Sequence, residues 1–112
     1  MIVPVPPRPE KLKRKEWDQI EAISRILERY GYTVRRLLER KVDIQQKRLN
    51  REMRKKNAEK AYAVIPSMKG AVGPRILLID DVYTTGATIE ACAKALHESG
   101  ATSVAALVIA ID

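Results

Sequence analysis

The chain contains no phenylalanine, and cysteine, histidine and tryptophan each occur once among its 112 residues. A single cysteine excludes an internal disulfide bond and a cysteine-based zinc site. With so few aromatic residues, a hydrophobic core must be built mainly from aliphatic side chains. No apolar run reaches the ~20 residues that a membrane-spanning helix needs, and prolines interrupt the apolar stretch near the amino terminus. These absences predict a cytoplasmic protein without a signal peptide.

Positive charge is concentrated in the first half of the chain, although the net charge of the whole is only +7. Residues 8–60 carry 18 Lys and Arg against 9 Asp and Glu, a balance of +9. Residues 61–112 carry 3 against 5, a balance of −2. This division favours an anionic partner for the basic half, and a solvated, helix-rich surface would explain it equally well.

Strand and helix patterns alternate along the sequence. Short aliphatic or β-branched runs predict strands near residues 2–5, 33–38, 61–65, 75–79 and 102–111. Apolar residues spaced by three and four predict amphipathic helices near residues 17–30 and 85–99. The polar and strongly basic composition of residues 40–60 predicts a flexible loop followed by a solvated helix. The alternation predicts a single α/β domain over residues 1–112, with a mainly parallel twisted sheet flanked by helices and its last two strands buried.

The most informative segment joins an apolar strand to two acids and a hydroxyl-rich loop, with the sequence ILLIDDVYTTGAT over residues 76–88. Asp80 and Asp81 stand at the carboxyl end of the predicted strand, where parallel α/β sheets bind their ligands. Because neighbouring residues on a strand face opposite sides, the two carboxylates are expected to act differently. They need cations, hydroxyl donors or water as partners, because burying unpaired charges is costly.

The loop after the acids has the composition of a phosphate-binding turn. Its residues are Thr84, Thr85, Gly86, Ala87 and Thr88. Glycine permits a tight path on which backbone N–H groups converge, and the following helix directs its positive end to the same place. An ordinary strand-to-helix turn, with Asp as a helix cap, is the alternative interpretation. Acids and loop together predict a site for a sugar phosphate, with Mg²⁺ near the acids.

These residues resemble the phosphoribosyl-pyrophosphate (PRPP) motif of type I phosphoribosyltransferases, in the version found in the ComF family. Other family elements have counterparts in IVPVP at residues 2–6, KEWDQ at 15–19, QKRL at 46–49, RKKN at 54–57 and AY at 61–62. Glu16 and Asp18 replace the Gly and Asn of the family's Arg-Gly-Phe-Asn-Gln element, and Tyr62 stands in place of the Phe in Ala-Phe. The cysteine-rich zinc module usual in ComF proteins has no counterpart here.

The resemblance implies a Rossmann-like fold of the type I phosphoribosyltransferase class and an enzyme of nucleotide metabolism that uses PRPP and Mg²⁺. Asp80 and Asp81 would be the catalytic acids, holding the ribose hydroxyls and contacting Mg²⁺ through waters. The loop of residues 84–88 would bind the 5′-phosphate. Pyrophosphate would rely on side chains of the first turn and the flexible loop, among them Arg8, Arg14, Arg40 and Lys41. Prolines lack an N–H group, so the first turn offers a poor backbone nest for it.

Two other functions are compatible with the sequence. The first is a non-catalytic module in DNA uptake, which would bind single-stranded DNA or proteins of the competence machinery through its basic half. The second is a PRPP-sensing regulator without transferase activity. A homodimer is compatible with each function. Cys92 is interpreted as a core thiol rather than a nucleophile.

Overall fold

The computed structural model describes residues 1–7, 18–41, 61–83 and 85–111. Within these ranges the chain forms five strands and two α-helices. In chain order they are β1 Ile2–Pro4, α1 Gln19–Arg29, β2 Leu38–Arg40, β3 Tyr62–Val64, β4 Arg75–Tyr83, α2 Ala87–Glu98 and β5 Ser103–Ile111. A 3₁₀ helix, Pro66–Ala71, lies between β3 and β4.

The main sheet is parallel, with the strand order β1-β4-β5. Strand β4 lies at its centre, where Leu77 pairs with Ile2 of β1 and with Ala105 of β5. A single parallel bridge joins Ile2 to Val34 on the other side of β1. The prediction of an α/β fold with a mainly parallel sheet is therefore confirmed. Neither described helix has the length and apolarity that crossing a membrane requires.

Strands β2 and β3 form a separate antiparallel pair, in which Arg40 lies directly opposite Tyr62. The predicted strand at 33–38 is thus divided between the bridge at Val34 and the later strand β2. The backbone N–H of Ile65 donates to the carbonyl of Leu37 at 2.8 Å and continues the pairing beyond the strand ends. Strand β3 packs against α2, so this pair lies beside the second helix.

Two apolar clusters cover the two faces of the central strand. Ile76 and Leu78 face α2, in a cluster that includes Cys92 and Leu96. Ile79, one residue further, belongs to a second cluster with Ile20 of α1. This alternation follows from the opposite directions of successive side chains on a strand. It explains why residues 76–79 are all aliphatic.

Helix α1 is fixed at its start by a side-chain cap, because the Asp18 carboxylate accepts a hydrogen bond from the N–H of Ile20 at 3.0 Å. Arg36 donates to Glu21 at 2.7 Å and to Glu28 at 2.8 Å, which joins the helix to the segment after it. The hydrogen bond from Arg36 lowers the pKa of Glu21. Because these groups are largely exposed, the ion pairs orient the segment more than they stabilise it.

Two predictions about the strands are wrong. Strand β4 does not end at Ile79 but runs to Tyr83, so Asp80 and Asp81 lie inside the strand. Strand β5 is not buried, since Leu107 is 59% exposed and Ile111 is 81% exposed. The reason is its position at the edge of the described sheet, where β4 is its only strand partner. Most of the predicted basic segment, residues 42–60, lies outside the described residues.

Truncating the core leucine of β4 should test this arrangement. We expect Leu78→Ala to lower the free energy of unfolding by about 2–5 kcal/mol, because the side chain is fully buried and leaves a cavity. Leu107→Ala on the neighbouring strand should cost less than about 1 kcal/mol, because the side chain is mostly exposed. Urea unfolding followed by circular dichroism measures both, and equal losses would contradict the assignment of the core.

Candidate functional site

Two adjacent carboxylates lie near the carboxyl end of the central strand. Asp80 is 9% exposed and lies on the same face of β4 as Leu78, toward α2. Asp81 is half-buried and lies on the opposite face, toward α1. The N–H of Asp81 donates to Asp80 Oδ1 at 2.9 Å, and the N–H of Val82 donates to Asp81 Oδ1 at 2.8 Å. The two acids are thus held in different surroundings on either side of the sheet.

The hydroxyl-rich loop leads directly into α2. Helix α2 begins at Ala87, two residues later than predicted, and Gly86 is its N-cap residue with φ of 80°. The N–H of Ala87 donates to Thr85 Oγ1 at 3.3 Å, and the N–H of Glu90 donates to the Gly86 carbonyl at 2.9 Å. The start of the helix therefore lies a few residues beyond the acids, at the same end of β4. Thr84 lies outside the described residues.

Two separate observations favour glycine at position 86. Its positive φ is a conformation that side chains with a Cβ rarely adopt. In addition, a Cβ built on Gly86 would lie 2.7 Å from the hydroxyl oxygen of Tyr83. The structure places the Tyr83 side chain directly against the loop. The tyrosine therefore constrains the turn on which the candidate phosphate site depends.

The two constraints on Gly86 can be separated by comparison with Gly31, which has φ of 90° but nothing within 4 Å of the position that an alanine Cβ would occupy. We expect Gly31→Ala to cost roughly 1–2 kcal/mol of unfolding free energy from its backbone alone. Gly86→Ala should cost more, because Tyr83 must also move. Urea unfolding of the two variants gives the comparison, and a smaller cost at Gly86 would show that Tyr83 does not restrict the loop.

A buried tyrosine connects the small antiparallel pair to the start of α2. Tyr62 of β3 is 9% exposed, and β3 packs against α2, the helix that carries Thr88. Arg40 Cζ lies 5.7 Å from the centre of the Tyr62 ring, within the range of a cation–π contact. Burial raises the pKa of Tyr62, against the opposing effects of Arg40 and Thr88, and the charge of Asp80 raises it further. The phenol therefore stays protonated at neutral pH.

Arg40 has an unsatisfied donor beside this tyrosine. Its Nη1 atom is buried, and no described residue forms a hydrogen bond with it. Leaving a buried donor of a charged group without a partner is costly. Lys41, by contrast, is exposed, and its backbone N–H donates to the Ala61 carbonyl at 2.6 Å. We refer to Arg40, Tyr62, Asp80 and Thr88 as the Tyr62 cluster.

The structure thus brings together some of the predicted site residues and leaves others undescribed. Those with described positions are Asp80, Asp81, Thr85, Gly86, Ala87, Thr88, Arg40 and Lys41. Thr84, Arg8 and Arg14 lie outside the described residues. Sequence reasoning missed Tyr62 as a site residue, although the family element Ala61-Tyr62 marked its position. Its role depends on pairing with Arg40 across more than twenty residues of sequence, which no local pattern shows.

The acid pair fits a metal site in which waters and substrate oxygens supply most of the ligands. Among the described residues no group of three or more His, Cys, Asp or Glu could hold a metal ion. Mg²⁺ commonly keeps several waters and is bound by one or two carboxylates together with phosphate oxygens of a substrate. Asp80 and Asp81 can serve in that way, through waters. A cage built from protein ligands alone would not fit these residues.

Cys92 lies in the core beneath this region. Its thiol is buried, and burial raises its pKa to about 12, with a smaller contribution from the charge of Asp80. A thiol that does not ionise is a poor nucleophile. The interpretation of Cys92 as a core residue is therefore confirmed.

The state of this thiol gives a pH-dependent prediction. At pH 8 the folded protein should react with a disulfide reagent far more slowly than the unfolded protein, because only about one thiol in 10⁴ is ionised at a pKa of about 12. The unfolded chain ionises near the usual value of 9.0, so stability should fall as pH rises from there toward 12. Since Cys92 is the single cysteine, the absorbance of the thiolate that the disulfide reagent releases measures the reaction of Cys92 alone. Equal rates with and without urea would contradict its burial.

The fold and the site together define an α/β domain with a candidate ligand site at the carboxyl end of a central parallel strand. Among curated proteins, the chain is similar to "Competence protein ComFC" of Streptococcus pneumoniae (strain ATCC BAA-255 / R6), with 34% identity over 107 residues. The match covers 92% of this chain and 44% of that protein, so the chain spans less than half of the relative's length. This similarity supports the ComF resemblance. No family model matches the chain, and no solved structure matches it.

Proposed function

We propose that this chain is a ComF-family domain with a type I phosphoribosyltransferase-like fold, and that it binds PRPP together with Mg²⁺. The observation that carries the proposal is the shared position of the acid pair and the hydroxyl loop at one end of β4. Ligands of parallel α/β sheets bind at this end. Similarity to ComFC over most of the chain supports the ComF-family part of the proposal.

Each part of the site has a chemical role in this proposal. Asp80 and Asp81 accept hydrogen bonds from the ribose 2′- and 3′-hydroxyls, directly or through waters of Mg²⁺. Thr85, Gly86 and the first turn of α2 hold the 5′-phosphate, because a helix start presents N–H groups and a positive dipole end to an anion. When bound, Mg²⁺ would neutralise charge on the pyrophosphate group. Negative charge beside the ribose would favour a cationic ring during transfer.

Arg40 is the best-supported candidate for the pyrophosphate group. Its buried Nη1 has no described hydrogen-bond partner, and an anionic oxygen would satisfy this donor. Lys41 follows it and is exposed, so it can add a second positive charge. The proposed ligand therefore extends from the start of α2, past the acids, to the end of β2.

The biological setting proposed here is natural competence, because the similar protein from Streptococcus pneumoniae is named as a competence protein. The basic residues that would contact DNA fall mainly in residues 42–60, outside the described part of the chain. The described residues include the candidate PRPP site, so PRPP binding is the first function to test, and single-stranded DNA binding by the basic segment is the alternative. A sensor without transferase activity is a separate outcome of the same test.

Titration calorimetry with PRPP and Mg²⁺ tests the proposal. We expect the wild-type protein to bind, and Asp81→Asn to bind about 10- to 100-fold more weakly, because the amide oxygen still accepts a hydrogen bond but lacks the negative charge that strengthens it. Glu98→Gln is the matched control, since Glu98 is exposed in the last turn of α2 and should leave affinity unchanged. Pyrophosphate release in the presence of nucleobases then separates a transferase from a sensor.

The proposal fails if the wild-type protein does not bind PRPP. It also fails if Asp81→Asn and Glu98→Gln both bind with wild-type affinity, because the acid pair would then have no part in recognition.

A further inference from the structure

We infer that two copies of this chain associate through the free edge of β5, with the two strands antiparallel about a two-fold axis at Leu107. The contact joins the three-stranded sheet of each copy into one sheet of six strands. The inference goes beyond the proposed function and does not depend on it, because its evidence involves neither the acid pair nor the hydroxyl loop.

Strand β5 is a long apolar edge without the features that usually protect one. Its nine residues, SVAALVIAI, include no charged residue and no proline, and β4 is its only described strand partner. The pairing with β4 keeps the same register at both ends of the strand, so no bulge interrupts it. Natural edge strands are usually kept from joining other chains by lysine, proline, bulges or short length. Strand β5 is therefore suited to pair with another strand.

One face of β5 is also uncovered. Leu107, Ile109 and Ile111 point to the same side of the sheet and are 59%, 53% and 81% exposed. On the other side, Val104 packs against the cluster that includes residues of α2. The cluster beneath α1 includes Ile79 of β4 but no residue of β5. A continuous row of large apolar side chains in water marks a surface that favours association.

The backbone of β5 directs half of its polar groups away from β4. The N–H of Ser103 donates to the carbonyl of Pro74, just before β4, at 3.0 Å. Because alternate residues of a parallel ladder turn their N–H and C=O groups to opposite sides, every second residue from Ser103 faces β4. The residues between them turn these groups to the free edge, where the described sheet has no further strand, and they are Val104, Ala106, Val108 and Ala110.

An antiparallel pair centred on Leu107 matches both the backbone and the side chains of the strand. Leu107 is the middle residue of Ser103–Ile111, so the whole strand takes part. It meets its own copy at a position without hydrogen bonds, where side chains are closest. On either side a small residue lies opposite a larger one, which avoids crowding, in the pairs Val104–Ala110, Ala105–Ile109 and Ala106–Val108. The first and last of these pairs exchange backbone hydrogen bonds.

The charge distribution favours a second copy as the occupant of this edge. Two chains that each carry a net charge of +7 repel each other as wholes. Most of that charge lies in residues 8–60, whereas β5 has none, so two identical chains can approach there without local repulsion. A charged partner such as DNA would find no opposite charge on this strand. A two-fold contact also closes at two subunits, because each copy uses its own β5 edge for the other.

Sedimentation equilibrium of the wild-type chain tests the association. One strand pair buries less than a standard interface of about 1,600 Å², so we expect a dimer with a dissociation constant of about 1–10 μM. Leu107→Lys should weaken the dimer at least about tenfold, because it places two like charges side by side at the axis. Ile26→Lys is the matched control, since Ile26 is an apolar residue of α1 that is 49% exposed and the change adds the same charge.

Cysteine cross-linking tests the register. Leu107→Cys should form an intermolecular disulfide under mild oxidation, because opposed residues at such a position lie about 4.5 Å apart at Cα. Ile109→Cys, at a similarly exposed position, should not, because its own copy lies about 14 Å away, four residues along the partner strand. A mixture of Ala105→Cys and Ile109→Cys should cross-link to a heterodimer. The native Cys92 is buried and does not compete.

A wild-type chain that stays monomeric at about 100 μM would overturn the inference. A Leu107→Lys dimer as tight as the wild type, or equal cross-linking of Leu107→Cys and Ile109→Cys, would overturn it as well, because the contact would then lie elsewhere or lack this register. Circular dichroism of each variant shows that the fold is preserved. PRPP takes no part in these measurements, so this inference and the proposed function fail separately.

Discussion

The central position of β4 is the constraint on which the rest of the described structure depends. Its first residues pair with β1 on one side and β5 on the other, and apolar clusters cover both of their faces. Such a strand must be aliphatic until it leaves the covered region. Polar groups can appear only toward its two ends, where Arg75 begins the strand and Asp80 and Asp81 lie near its carboxyl end.

The turn after β4 adds a second constraint. Gly86 takes a positive φ, and Tyr83 occupies the space where a side chain would extend. This geometry allows α2 to begin shortly after β4 ends at Tyr83, so the helix start and the acids are at the same end of the sheet. Further along α2, Cys92 and Leu96 anchor the helix on the sheet. The site is thus held by a packed helix rather than by the loop alone.

The Tyr62 cluster connects parts of the chain that are far apart in sequence. Arg40 and Tyr62 meet through antiparallel pairing, while Thr88 and Asp80 come from the helix and the central strand. Charged and polar groups in such a buried place need partners from several elements. Within the described residues, the buried Nη1 atom of Arg40 has no hydrogen-bond partner.

Local pattern in the sequence determined the α/β class, the approximate position of each described helix and strand, and the segment that carries the acids and the hydroxyl loop. Periodicity and turn residues act over a few positions, so a single sequence displays them. Only the tertiary structure decided that β5 lies at an exposed edge of the described sheet, that β4 continues through the acids, and that the Tyr62 ring lies against Arg40. Those features depend on which strands become neighbours, and strand pairing joins residues whose separation along the chain leaves no local trace.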